Sequence, residues 1–112
     1  PIRAANVRHG VRGTELEHHV AADVEIAARG GAWAAYLNAG QVCTSAERFY
    51  VHESLFDDYV AAFADHTRSL IVGDPLNAAT DVGPMVSAAQ RDKAAAQVDA
   101  AVAAGAELIV GG

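Results

Sequence analysis

One residue in this chain has the makings of a nucleophile. Cys43 is the only cysteine, and it sits in Asn38-Ala39-Gly40-Gln41-Val42-Cys43-Thr44-Ser45, where an apolar helical pattern gives way to a β-rich one. A free cysteine is often a small buried filler. Three local features point the other way. Gly40 permits backbone angles that other residues resist. Thr44 and Ser45 are small and polar, which favours access to the sulfur. Backbone N–H groups in such a turn would stabilise both a thiolate and an oxyanion. A thiolate on a loop between regular elements is sound geometry for covalent catalysis.

The five histidines carry less. His18 and His19 stand beside Glu15 and Glu17, with His9 nearby, and zinc is the natural thought. The spacing matches neither a paired CxxC nor HExxH, so the reading is a solvated His/Glu cluster and no metal site. His52 and His66 are isolated surface residues on this reading, and spacing selects no histidine as a partner for Cys43. Gly10-Val11-Arg12-Gly13 lacks the Lys-Ser/Thr of a phosphate loop, and there is no GxGxxG. The chain therefore offers no cofactor-binding residues of its own. Glu15, Glu17, Asp23 and Glu25 read as a solvated face.

The elements that must hold Cys43 begin at Asp23, a good helix N-cap. Ile26, Ala27, Gly30, Trp33, Ala34 and Leu37 follow at helical spacing and are predicted to line one buried face, with Gly40 as the stop. Gly30 and Gly31 each weaken that helix by roughly 1 kcal/mol relative to Ala, and close packing is the expected reason for both. Arg48 to His52 reads as a strand with Phe49 and Val51 on one face. Ser54 is expected to open the next helix, with Phe56, Tyr59, Val60 and Phe63 as its apolar stripe. Gly73-Asp74-Pro75-Leu76-Asn77 is turn chemistry. Ser87 caps a third helix carrying Ala94, Val98, Ala101 and Val102 on one face, Gly105 ends it, and Leu108-Ile109-Val110 is predicted to be a buried strand.

Composition sets the outer bounds. The 112 residues suit one small domain and carry 14 acidic against 8 basic side chains, for a net charge of -6. That balance argues against nucleic acid or an anionic membrane as partner. No apolar run approaches the ~20 residues needed to cross a bilayer. Residues Pro1-Ile2-Arg3-Ala4 do not open a secretory signal, and one cysteine fits a reducing, cytoplasmic setting. Hydrophobic residues make up 52%, but 26 residues are Ala and only seven are aromatic, so the core is expected to be thin and to want neighbours.

The segment Asn38-Ala39-Gly40-Gln41-Val42-Cys43-Thr44-Ser45-Ala46-Glu47-Arg48-Phe49-Tyr50-Val51-His52 resembles the active-site segment of aldehyde dehydrogenases. Val24 to Leu37 is similar to the helix leading to that cysteine, and Phe56 to Phe63 to the helix after it. Gly73-Asp74-Pro75, Val82-Gly83-Pro84-Met85 and Gly105-Ala106 through Gly111-Gly112 fall in the family's order. The resemblance implies an α/β fold, a partial catalytic domain running helix, strand, helix, loop, helix, strand, with the nucleotide-binding domain absent. It implies NAD- or NADP-dependent oxidation of a small-molecule aldehyde to the acid. Cys43 would attack the aldehyde carbon to form a thiohemiacetal, hydride would pass to the nicotinamide, and water would hydrolyse the thioester. The Cys43 N–H would form half of an oxyanion hole, Val42 and Thr44 would face the substrate pocket, and Asn38 and Gln41 would support the loop. The family also suggests a homo-oligomer.

The resemblance covers residues 23–112. Counting back from Cys43 by the family's spacing, the position of its Glu-Leu-Gly-Gly general base falls on His9, in Arg8-His9-Gly10-Val11. Residues 1–22 are thus expected to be an unmatched segment, whether a shifted reading frame, a foreign junction or a disordered stretch. The chain is expected to be a truncated piece with negligible turnover by itself. A second expectation is a non-catalytic remnant that docks on a full-length dehydrogenase subunit through exposed Phe56, Tyr59 and Phe63.

Overall fold

A computed structural model describes residues 2–5, 14–18 and 23–111, the first two segments by their backbone. Three strands and three α-helices follow one another: β1 (Ile2–Ala5), β2 (Thr14–His18), α1 (Val24–Tyr36), β3 (Ala46–His52), α2 (Phe56–Ser69) and α3 (Ala88–Ala103). β3 is the centre of the sheet, antiparallel to β1 on one edge and parallel to β2 on the other. Ile2 pairs with His52 and Ala5 with Phe49, while Leu16 pairs with Phe49 and His18 with Val51. Two strands thus lie within the stretch expected to lack the family's pattern. They are too short for a period to show, and their pairing is made by backbone groups that any sequence supplies. His9, His19 and the Gly10–Gly13 segment lie outside the described residues.

α1 starts where its cap dictates. The Asp23 carboxylate accepts a hydrogen bond from the Ile26 N–H at 3.0 Å, satisfying one of the orphan amides of the first turn. The predicted face, however, is not the buried one. Ala28, Gly31 and Ala32 are buried, whereas Ile26 and Trp33 are 61% and 67% exposed and Leu37 also faces outward. The reason is the shape of the partners. α1 lies on the aromatic rings of β3 and α2, and only a stripe of small residues allows that approach.

Gly31 shows how tight the approach is. A Cβ built there would stand 2.5 Å from the Tyr59 hydroxyl and 3.0 Å from Phe49 Cε1. Gly30, one residue earlier, has open space around it, so close packing accounts for one glycine of the pair and not the other. Phe49, Tyr59 and Phe63 form a cluster of tilted and edge-on rings, with Phe49 and Phe63 centroids 5.2 Å apart. With Ala28, Ala46 and Val51, Phe49 and Tyr59 make the buried core. The predicted faces of β3 and α2 hold. Tyr59 is buried and Phe56 and Phe63 are partly buried against the core, so the exposed stripe expected to drive docking is instead inside.

α2 begins differently from the Ser54 cap expected. A short 3-10 turn, Glu53–Leu55, precedes it, and the cap acceptor is the His52 ring, whose Nδ1 takes the Ser54 N–H at 3.2 Å. His66 on α2 reaches back to Glu25 on α1, Nε2 to Oε1 2.8 Å, so neither of these two histidines is isolated. Beyond α2 the chain runs through the Asp74–Asn77 turn and a bridge between Val72 and Val82. Ser87 then caps α3 as predicted, accepting from Gln90 N–H. The helix closes at Gly105 (φ +97), where the Ala106 N–H reaches the Ala101 carbonyl and the Gly105 N–H that of Val102. No residue of α3 is buried. Leu108–Val110 forms no strand, and Leu108 and Ile109 are about half exposed. An apolar run becomes a strand only when its backbone groups pair with another strand, and Leu108–Val110 pairs with none among the described residues.

Candidate active site

Between α1 and β3 the backbone makes an unusual detour. Tyr36 ends α1 and a 3-10 turn, Leu37–Gly40, follows, with Asn38, Ala39 and Gly40 all in the left-handed region (φ 52, 56 and 71). Asn and Gly accept that conformation readily; an alanine there costs about 1–2 kcal/mol. Such strain persists only where surrounding bonds over-determine the backbone, and it clusters at functional sites. Two bonds from Gln41 hold it, its backbone N–H and its side-chain Nε2 both donating to the Asn38 carbonyl, at 3.1 and 3.0 Å.

The next turn carries the thiol. The Ser45 N–H donates to the Val42 carbonyl at 3.0 Å, closing a four-residue turn with Cys43 and Thr44 at its two central positions. Both are exposed, and Cys43 is a free thiol. Neither central amide enters a hydrogen bond among the described residues. A tight turn immediately before a buried strand therefore presents the sulfur outward with two backbone N–H groups beside it. Such groups suit a developing oxyanion.

Beside this turn lies a small cavity of about 70 Å³, lined by Trp33, Ala34, Leu37, Val42, Thr44 and Ser45. The two neighbours of Cys43 in sequence thus share one wall with the outward side chains of α1. Ser45 is buried, and its hydroxyl has no hydrogen-bond partner. The resemblance gives Val42 and Thr44 a place at the pocket, whereas the residue pattern puts Trp33 and Leu37 on a buried helix face and Ser45 merely beside the thiol. The outward rotation of α1 that brings Trp33 here, with Leu37 just past the helix end, is a tertiary fact with no local signal. Asn38 and Gln41 are brought together in the turn, while no group of three or more potential metal ligands occurs among the described residues.

Comparison with known proteins decides the family. Residues 19–112 match the profile of the aldehyde dehydrogenase family. This chain belongs to that family. It is 46% identical over 91 residues to a succinate-semialdehyde dehydrogenase [NADP(+)] of Mycobacterium avium, covering 81% of this chain and 19% of the relative. It is 38% identical over the same length to a betaine aldehyde dehydrogenase of Sinorhizobium fredii. Among solved structures, an NAD-dependent aldehyde dehydrogenase from Sinorhizobium meliloti superimposes with a TM-score of 0.84 at 38% identity, over 91% of this chain and 20% of that one. Aldehyde dehydrogenase C of Pseudomonas syringae, a mutant in complex with NAD+ and octanal, also gives 0.84, at 29% identity over 92% of this chain and 21% of that one. The α/β fold is thus that of one part of an aldehyde dehydrogenase, and the chain spans about a fifth of the length of its relatives. No helix among the described residues is long and apolar enough to cross a membrane.

Proposed function

We propose that this chain carries the nucleophile of an aldehyde-oxidising enzyme, with Cys43 as the residue that attacks the substrate carbonyl. The observation that carries the reading is the exposed thiol on a turn held by strained, hydrogen-bonded backbone, in a member of a family of aldehyde dehydrogenases. The sulfur adds to the aldehyde carbon, the carbonyl π pair moves to oxygen, and the backbone N–H of Cys43 steadies the resulting oxyanion. Protonation of that oxygen gives the thiohemiacetal. Val42 and Thr44 form the near wall of the substrate pocket, which Trp33 and Leu37 make apolar, and the buried Ser45 hydroxyl offers one hydrogen bond. Asn38 and Gln41 support the turn.

The relatives include NAD and NADP enzymes, and oxidation of the adduct calls for such a nicotinamide cofactor. Among the described residues no glycine-rich strand-to-helix turn occurs, and the Asp23 carboxylate occupies the first turn of α1. On this proposal the 112-residue chain by itself holds no acceptor against the adduct, so it forms the thiohemiacetal and does not turn it over. Residues 23–112 are, on the same proposal, the catalytic-domain portion. The setting is a reducing cytoplasm that keeps Cys43 a thiol, and the assembled enzyme is a homo-oligomer.

The test uses the uniqueness of Cys43. An aldehyde should protect the chain from alkylation by iodoacetamide saturably, at concentrations that leave glutathione unprotected, and no NADH or NADPH should accumulate. Protection no better than for glutathione would sink the nucleophile assignment. A second reading, a non-catalytic remnant docking on a full-length subunit, draws on the exposed Ile26, Trp33 and Leu37. Co-purification with an intact dehydrogenase favours it, and a soluble monomer counts against it.

A further inference from the structure

The hydrogen bonds around Cys43 converge on one side chain. The Asn38 carbonyl, at the start of three successive left-handed residues, accepts two hydrogen bonds, and both come from Gln41. The other end of the same carboxamide points the opposite way. Its Oε1 accepts the backbone N–H of Val86 at 2.8 Å, 45 residues further along the chain. Among the described residues no other hydrogen bond joins the stretch 37–45 to the stretch 70–111. The orientation of the amide follows from its partners, since a carbonyl needs the NH₂ and an N–H needs the oxygen.

We propose that Gln41 is the positioning residue for Cys43. Its nitrogen holds the left-handed turn closed, and its oxygen locks that turn to the strap Gly83–Val86, so the place of the thiol depends on where the strap lies. The chemistry of the position explains the residue type. The span requires a donor at one end and an acceptor at the other. A glutamate keeps the acceptor for Val86 but sets an oxygen against the Asn38 carbonyl. An asparagine is one methylene short of reaching both. Only Val42 separates Gln41 from Cys43 in sequence, and the turn closed by Ser45 N–H to Val42 carbonyl passes any displacement on to Cys43. The importance of this tie for catalysis rests on Cys43 being the nucleophile; the tie itself does not.

Amide exchange and alkylation of the 112-residue chain test it without any need for turnover. In the unsubstituted chain the Val86 N–H and the Gln41 side-chain NH₂ should exchange more slowly than free amides. Exchange of both at the free-amide rate would overturn the proposal with no variant at all. In Gln41→Ala the Val86 N–H should exchange about fivefold faster, the loss of one hydrogen bond of ordinary net strength. The rate of Cys43 alkylation should change severalfold, while the melting temperature falls by only a few degrees. Gln41→Glu should keep the Val86 protection while still altering the alkylation rate, a split that general loosening would not produce. Unchanged Val86 exchange and alkylation in Gln41→Ala would refute the tie. If the tie holds but aldehydes give no protection of Cys43, it is the nucleophile reading that fails.

Discussion

Two parts of this molecule are built to different standards. The unit of α1, β3 and α2, with the turns that join them, holds every buried residue among those described: Ala28, Gly31, Ala32, Ser45, Ala46, Phe49, Val51, Tyr59 and Ala64. The stretch 70–111 holds none, although its helix is longer than either of the others and its caps are complete at both ends. Good capping and helix-forming alanines thus suffice for regular structure, while burial needs side chains large enough to meet across a gap. α1 succeeds with small residues because β3 and α2 bring the rings to it. α3 is just as small-residued, and no aromatic side chain follows Phe63 in the chain.

The contrast can be broken most directly by truncation. Phe49→Ala removes the centre of the ring cluster and should cost about 3–5 kcal/mol, whereas Val98→Ala on α3 should stay within about 0.5 kcal/mol, both read from urea unfolding. Equal losses would mean that α3 is packed more tightly than its exposure indicates.

The adjacent glycines of α1 give a finer version within one helix. Gly31→Ala drives a methyl into the Tyr59 hydroxyl and the edges of Phe49 and Phe63, and should destabilise by about 1–3 kcal/mol. Gly30→Ala meets open space and should instead stabilise by up to about 1 kcal/mol. A pair of melts shifted in the same direction would contradict the packing of α1 on the rings.

Alkaline pH probes the core through a single group. Burial holds the Tyr59 phenol above its usual range, so the folded state keeps this proton when the unfolded chain has released it. The stabilisation is therefore whole below the ordinary phenol pKa of about 10 and falls above it, by at most about 1.4 kcal/mol per pH unit. Tyr59→Phe should flatten that decline in a pH series of urea midpoints, and an unaltered slope would show that another group is responsible.

Ala39→Gly should give a smaller change. Relief of a left-handed alanine should raise stability by about 1 kcal/mol, less whatever the unfolded chain gains in freedom. A destabilised variant would place the strain elsewhere in the turn.

Much of this molecule is legible in its residues alone. Asp23, Ser87 and Gly105 bound their helices as written, because capping and left-handed closure act within a few residues and need no distant partner. The alternation of Phe49 and Val51 sets the buried face of β3 by the same local logic. The cysteine motif, with its Asn, Gly and Gln, is equally plain in the sequence, and the family it resembles is the family it belongs to. Tertiary structure decided the rest. It turned α1 so that alanines and one glycine face the core while Ile26, Trp33 and Leu37 face out, since the fit depends on the rings opposite and not on hydrophobicity along the helix. It paired β1 and β2 with β3 through backbone groups that carry no side-chain signature, and left Leu108–Val110 without a strand to join. And it brought the Val86 amide to Gln41, a hydrogen bond between residues too far apart in sequence for any local pattern to reveal.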